Sequence, residues 1–210
     1  MKILTIDTTT DKTWVILQDN KAVIRERLVD AGNRHAELLL PTIEEILRAG
    51  NLSYDSVDCL SLTNGPGSFI GLKVSMAFAK ALRCTRPGIR IILNSTFQIL
   101  SFQQSYDFVV LDAGNGGLYL SDREERSFYS RKEECHNFLN INSRIITNSL
   151  DAIDFLKSSD IVHRQVSSQG VTALNHFKYV NERFSEGKME PIYIREPQVN
   201  IRNEQKLYNK

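Results

Sequence analysis

A chain of 210 residues is long enough for one large domain or two small lobes, with a core that buries most of its unfolded surface. With 41% hydrophobic and 24% charged residues it has the composition of a soluble globular protein, and a net charge of +1 supplies no chain-wide field for nucleic acid. Cys59, Cys84 and Cys135 are odd in number, far apart and without a C-x-x-C pair, which argues against a disulfide framework and a cysteine zinc site and for a reducing compartment. The expected location is cytoplasmic: an acid at Asp7 interrupts the first apolar run, and no run approaches a membrane span.

In chain order, Lys2 to Asp7 and Thr13 to Gln18 alternate and are rich in β formers. A turn at Asp19-Asn20 leads into a third strand, Ala22 to Leu28, completing an antiparallel meander. Asn33 is the expected cap of a helix from Arg34 to Ala49 stopped by Gly50, with a kink at Pro41. Leu39, Ile43, Ile46 and Leu47 form its apolar face. A strand from Val57 to Leu62 then enters the turn Asn64-Gly-Pro-Gly-Ser68, and a helix runs from Phe69 to Leu82. On that helix Gly71, Ser75 and Ala79 share a small-residue face that allows close approach of another helix. Phe69, Leu72 and Met76 lie beside it as an apolar stripe. A strand at Ile89 to Leu93 and a helix from Asn94 or Ser95 to Gln103 close the first half, β-β-β-α-β-α-β-α.

The second half opens with a meander of its own: Phe108 to Asp112, Leu118 to Asp122 and Arg126 to Ser130. Ser149 precedes a helix from Asp151 to Lys157, and Ser168 one that runs to Ser185. Met189 to Arg195 reads as extended and limited by Pro191 to a sheet edge, and the polar tail from Ile201 as frayed. No internal repeat is visible, although each half places an aspartate after its first strand, Asp7 and Asp112.

Chemistry is sparse. Asp7-Thr8-Thr9 at a strand end, and Asp112 with Gly114, are weak candidates for facing a magnesium-bound phosphate, since the same residue types also favour plain β-turns. The Gly65 loop fails both standard phosphate patterns. Gly71 is followed by Leu72-Lys73 rather than Lys-Ser/Thr, and the third glycine comes one place late for G-x-G-x-x-G. A turn followed by a tightly packed helix is the better reading. His35, His136, His163 and His176 include no i, i+4 pair, so no helical metal face exists. His35 in the first helical turn is expected to be neutral and hydrogen-bonded. Cys135-His136 reads as coincidence rather than a dyad.

Met1-Lys-Ile-Leu-Thr-Ile-Asp-Thr-Thr9, His35-Ala-Glu-Leu-Leu-Leu-Pro41, Asn64-Gly-Pro-Gly-Ser-Phe-Ile-Gly-Leu-Lys73, Leu111-Asp-Ala-Gly-Asn-Gly-Gly-Leu-Tyr119 and Glu190-Pro-Ile-Tyr-Ile-Arg195 together resemble the TsaB (YeaZ) family. The resemblance implies a two-lobed α/β fold of the actin-like and sugar-kinase-like ATPase class, with mixed sheets and helices on their faces. It places the lobes at residues 1–105, carrying the docking helices, and 106–210, smaller and degenerate. It implies a non-catalytic scaffold subunit that pairs with TsaD in threonylcarbamoyl transfer to the adenosine next to the tRNA anticodon. TsaE is a further partner, self-pairing occurs when TsaD is absent, and tRNA is contacted only indirectly. By the same resemblance the H-x-x-x-H metal pair of TsaD falls on Ser95 and Ile99, so no catalytic or metal residue is expected, and ATP with magnesium belongs to the complex rather than to this chain. The implied docking surface is Leu39, Ile43 and Ile46 with Phe69, Gly71, Leu72, Ser75, Met76 and Ala79. Ile70 and Lys73 stand where relatives usually carry Thr and Arg, and Asn115-Gly-Gly and Thr147-Asn-Ser149 also depart from the family pattern. The alternative is a weak nucleotide-binding hydrolase using Asp7, Thr9 and Asp112.

Overall fold

The computed structural model describes residues 1–20, 22–159, 164–165 and 189–194. The helix expected from Ser168 and the tail from Ile201 lie outside these residues. Strands β1 (Lys2–Asp7), β2 (Lys12–Asp19) and β3 (Ala22–Asp30) form the expected meander. Asn20 takes a left-handed φ of 51° in the turn between the last two. Then come α1 (His35–Ala49), β4 (Cys59–Thr63), α2 (Phe69–Thr85), β5 (Arg90–Asn94) and α3 (Thr96–Ser101). β4 lies parallel to β1, and β5 parallel to β4, so the first sheet has the order β3-β2-β1-β4-β5.

The second half contains β6 (Phe108–Gly114), β7 (Gly117–Asp122), β8 (Ser127–Arg131), a 3-10 segment (Lys132–Asn137), β9 (Ile145–Thr147), α4 (Leu150–Ser158) and β10 (Arg164–Gln165). Its sheet order is β10-β9-β6-β7-β8, with an antiparallel meander and two parallel additions. Read from the meander outward, the two sheets have the same topology. The duplication is one of fold, without a repeat in sequence. The short 3-10 segment stands in the second lobe where α1 stands in the first, and α4 corresponds to α2.

α1 and α2 pack side by side over one face of the first sheet. Leu4, Ile6, Val15, Leu17, Leu60, Leu62, Ile91 and Leu93 meet the inner faces of the two helices in the main core. The other face of that sheet is buried and more polar: Thr5 donates to Gln18 at 3.2 Å, and Asn94 donates to Ser61 at 3.1 Å. A second core lies under β6, β7 and α4, and a third joins α3 to Val109, Leu111 and Ile146.

Several local expectations change. Asn33 does not cap α1: Arg34 N–H donates to the Ala31 carbonyl, which places Asn33 inside a turn, and the helix begins at His35 without a side-chain cap. The Gly50 C-cap has φ −87°, and Asn51 takes the left-handed place at 53°. α3 begins behind Ser95, which forms a capping box with Gln98, and stops at Ser101 rather than Gln103. Gln103 is left-handed, at φ 56°. Ser149 caps α4 as expected, accepting from Ala152 N–H. Residues 189–194 form no strand. Ile192 N–H donates to the Asn64 carbonyl at 2.7 Å, which docks the segment on the glycine loop rather than on a sheet edge. β9 and β10 are too short, at three and two residues, to leave a readable alternation.

Candidate functional site

Two regions carry the residues singled out by sequence: a cleft between the lobes and the α1–α2 helix pair. The cleft has a volume of about 640 Å³, a size suited to a small-molecule ligand. The β1–β2 turn supplies Asp7, Thr9, Thr10, Asp11 and Lys12 to its wall. Pro66 and Gly67 come from the loop before α2, and Asp112 and Tyr119 from β6 and β7. Asn148, Ser149 and Asp151 come from the start of α4. The duplicated topology explains the meeting: Asp7 ends β1, and Asp112 lies near the end of β6, the equivalent strand.

Both aspartates are held by their own turns. Asp7 is buried, and its Oδ1 accepts from Thr9 N–H at 2.8 Å and from the Thr9 hydroxyl at 2.7 Å. Asp112 Oδ2 accepts from Gly114 N–H at 3.0 Å, and its Oδ1 lies 3.9 Å from Lys132 Nζ. Thr8 faces away from the cleft: it is fully buried and its hydroxyl donates to the Gly71 carbonyl at 2.9 Å, a structural contact that removes it from the phosphate-facing set. Gly114 is not among the lining residues and serves the turn, with φ 69°. Four carboxylates (Asp7, Asp11, Asp112 and Asp151) face one lining lysine, Lys12. That balance opposes a bare phosphate and suits only one accompanied by a divalent cation. Among the described residues, no group of three or more His, Cys, Asp and Glu is arranged to hold a metal ion.

Sequence reasoning missed Trp14 and Tyr119 on the cleft wall. Trp14 pairs across the sheet with Asp7 and so points to the same face. It is 7% exposed, and among the described residues its indole N–H has no acceptor. Strand alternation could have found it, once the register of β1 on β2 was known. Ser95 and Ile99, where the resemblance placed a metal pair, have other roles. Ser95 caps α3, and Ile99 is a buried apolar side chain on the cleft wall.

The loop before α2 is a structural junction. Ser68 N–H donates to the Thr9 carbonyl at 2.7 Å, and Ser68 Oγ accepts from Gly71 N–H at 3.2 Å. Thr96 N–H and hydroxyl donate to the Gly65 and Pro66 carbonyls. A Cβ at Gly67 would overlap Thr9, and one at Gly71 would overlap the Thr8 carbonyl oxygen. Gly67 and Gly71 are therefore fixed by close packing of the loop and α2 on the β1–β2 turn, with the Thr9 carbonyl on the Ser68 N–H.

The same packing corrects the helix face. Gly71, Ser75 and Ala79 do not look outward; with Leu72 and Met76 they face the interior of this chain. Leu39, Ile43 and Ile46 of α1 are likewise core residues. Of the nine residues read as a docking surface, Phe69 alone is exposed, at 40%. The small-residue stripe does mark close approach, but to the chain's own turn and sheet. The outward stripe of α2 is Phe69, Ile70, Lys73, Ala77, Lys80, Ala81 and Cys84, joined on α1 by Leu40.

His35 is fully buried at the start of α1, with Nδ1 2.9 Å from the Thr13 hydroxyl. Burial pushes its pKa below the usual 6.5, against the opposing pull of the Thr10 backbone and of Asp11 and Asp7, so the neutral, hydrogen-bonded imidazole expected from sequence fits the site. Burial also raises the Cys59 thiol to about 12, which leaves it inert. Among the described residues no helix is long and apolar enough to cross a membrane.

Two five-stranded sheets of matching topology, with helices on their faces and a cleft between them, define a two-lobed α/β fold. Solved structures agree at the level of fold: YeaZ from Pseudomonas aeruginosa superposes with a TM-score of 0.64 at 17% identity, covering 91% of this chain and 99% of that one. The ethanolamine utilization protein EutJ from Carboxydothermus hydrogenoformans gives 0.54 at 8% identity, covering 86% and 90%. The family model of TsaD, tRNA N6-adenosine threonylcarbamoyltransferase, matches residues 29–139, a stretch that contains α1 and α2. The chain belongs to the family of that model. It is 29% identical over 145 residues to the TsaD of Protochlamydia amoebophila, covering 57% of this chain and 42% of that protein. It is 36% identical over 84 residues to the tRNA threonylcarbamoyladenosine biosynthesis protein TsaB of Haemophilus influenzae, covering 39% and 34%. The matched stretches thus span less than half the length of these curated relatives.

Proposed function

We propose that this chain is a non-catalytic scaffold subunit in the biosynthesis of threonylcarbamoyladenosine in tRNA, and that it docks a catalytic TsaD relative through the outward face of α1 and α2. The observation that carries this reading is the exposed stripe itself. Leu40, Phe69 and Ile70 are 40–48% exposed, on helices whose opposite faces are buried in the core, and small Ala77 and Ala81 continue the line along α2. An apolar stripe with small residues suits helix packing and is costly to leave in water. Both helices lie inside the stretch that the TsaD family model matches, so a TsaD partner is expected to carry a similar pair. The partner supplies the transfer chemistry and this chain supplies its docking surface. TsaE and tRNA enter at the level of that assembly. Reconstitution tests this: tRNA modification by the cognate TsaD should require this chain, and equal modification in its absence would contradict the proposal.

A second reading, weak nucleotide hydrolysis, is favoured by one feature. Asp7, Thr9 and Asp112 line a single cleft that also holds the indole of Trp14, whose N–H has no acceptor among the described residues. Calorimetry with ATP and magnesium separates the two: saturation by the isolated chain supports the hydrolase, and silence supports the scaffold.

A further inference from the structure

The cleft between the lobes holds groups that a phosphate would leave unused. Much of its wall is aromatic and apolar. Trp14 and Leu28 pair across β2 and β3, Ile99 and Leu111 lie on the same wall, and Tyr119 is set edge-on against Tyr129 with ring centroids 6.2 Å apart. The carboxylates differ in what they have left to offer. Asp7 Oδ1 is taken by Thr9, and Asp112 Oδ1 lies 3.9 Å from Lys132 Nζ. Asp11, on the β1–β2 turn, and Asp151, in the first turn of α4, are exposed, and among the described residues neither has an ion-pair partner. Unspent negative charge thus lines the cleft from both lobes, against Lys12 as its one lining cation.

Trp14 adds an independent signal. It is 7% exposed, lines the cleft, and among the described residues its indole N–H has no acceptor. A buried donor without a partner is costly, and a ligand that brings an acceptor removes the cost. Lys12 lies two residues before Trp14 on β2 and so shares its face, which places both donors on the first lobe. We propose that the cleft binds a small organic ammonium ion with an apolar body that also carries a hydrogen-bond acceptor. The Asp11 and Asp151 carboxylates hold the ammonium group, the Trp14 and Tyr119 side of the wall takes the body, and the Trp14 N–H and Lys12 meet the acceptor. An ammonium ion is stabilised by carboxylates and aromatic faces without an ordered ligand set. A metal-bound phosphate needs such a set, and among the described residues no three-ligand group provides one. This site is separate from the α1–α2 face, and its occupant competes with the magnesium-bound nucleotide of the second reading.

Trp14 is the only tryptophan of the chain, so its fluorescence reads the cleft directly. The ligand to titrate is lysinamide, which carries ammonium charge and a carbonyl acceptor. Hexanamide, with the carbonyl and a similar chain but no charge, is its control. Lysinamide should shift Trp14 emission saturably at millimolar concentration or below, less tightly at high salt, and hexanamide should bind at least about 10-fold more weakly. Asp151→Asn and Asp11→Asn, at exposed positions on different segments, should each raise the lysinamide Kd about 5-fold with an unchanged melting curve. Trp14→Phe keeps an aromatic ring and removes the N–H, and calorimetry should show it weakened by about the same factor. An emission that lysinamide leaves unchanged overturns the proposal, as does equal binding of lysinamide and hexanamide. Wild-type affinity in both folded aspartate variants overturns the role of the carboxylates, and wild-type affinity in Trp14→Phe overturns that of the indole N–H. ATP with magnesium that saturates the same signal and displaces lysinamide overturns the ammonium site in favour of the hydrolase reading.

Discussion

Gly71 and His35 show how single residues hold the two regions in place. Gly71 is the point at which α2 touches the β1–β2 turn, and a methyl group there overlaps the Thr8 carbonyl oxygen, which is backbone and cannot swing aside. Alanine would gain about 1 kcal/mol of helix propensity, but the clash must be relieved by moving the helix, so Gly71→Ala is expected to cost about 2 kcal/mol net. Gly88→Ala, which meets open space, should be close to neutral. Urea unfolding midpoints check the pair. His35 makes a pH prediction. Its folded pKa lies below the ordinary 6.5, so the unfolded chain binds the proton more readily. Stability from the neutral imidazole is complete above pH 6.5 and declines as pH falls from there toward the folded pKa. Melting temperature should drop over that window in the wild type and drop less in His35→Gln. An equal slope in both would count against a buried neutral His35.

At the scale of elements, α2 carries the main lesson about reading this chain. Its sequence shows a small face and an apolar stripe, and both features are real. Periodicity reveals that a face is packed closely, but not whether the close neighbour is another protein or the chain's own backbone. The deciding facts are the Thr8 hydroxyl on the Gly71 carbonyl and Ala79 with no exposed surface, and they depend on contacts 63 residues apart in the chain. The distinction changes the experiment. Ala79→Glu places a carboxylate in the main core and should unfold the protein. Ala77→Glu, one half-turn away on the exposed side, should leave circular dichroism and melting unchanged while removing the docking surface. A folded Ala79→Glu variant would show that this packing is wrong.

For the whole molecule, the order of elements in the first lobe and the meander of the second were legible, because alternation and turn residues are local signals. The shared topology of the sheets was visible only as a meander opening each half and an aspartate after each first strand. The remaining equivalence lies in pairings such as β1 with β4 and β6 with β9, which no local pattern records. The cleft was less legible still, since its wall comes from segments near residues 7–14, 66–67, 96–100, 111–119 and 148–151. Sequence supplied Asp7, Thr9 and Asp112, while Trp14 and the start of α4 needed the fold. The central claim is that the outward face of α1 and α2 docks a catalytic relative. The most direct measurement is a titration of the cognate TsaD with wild-type chain and with Ala77→Glu. The account predicts saturable binding by the wild type and a loss of about 100-fold, near 2.7 kcal/mol, in the variant. Equal affinities for two equally folded proteins would contradict it.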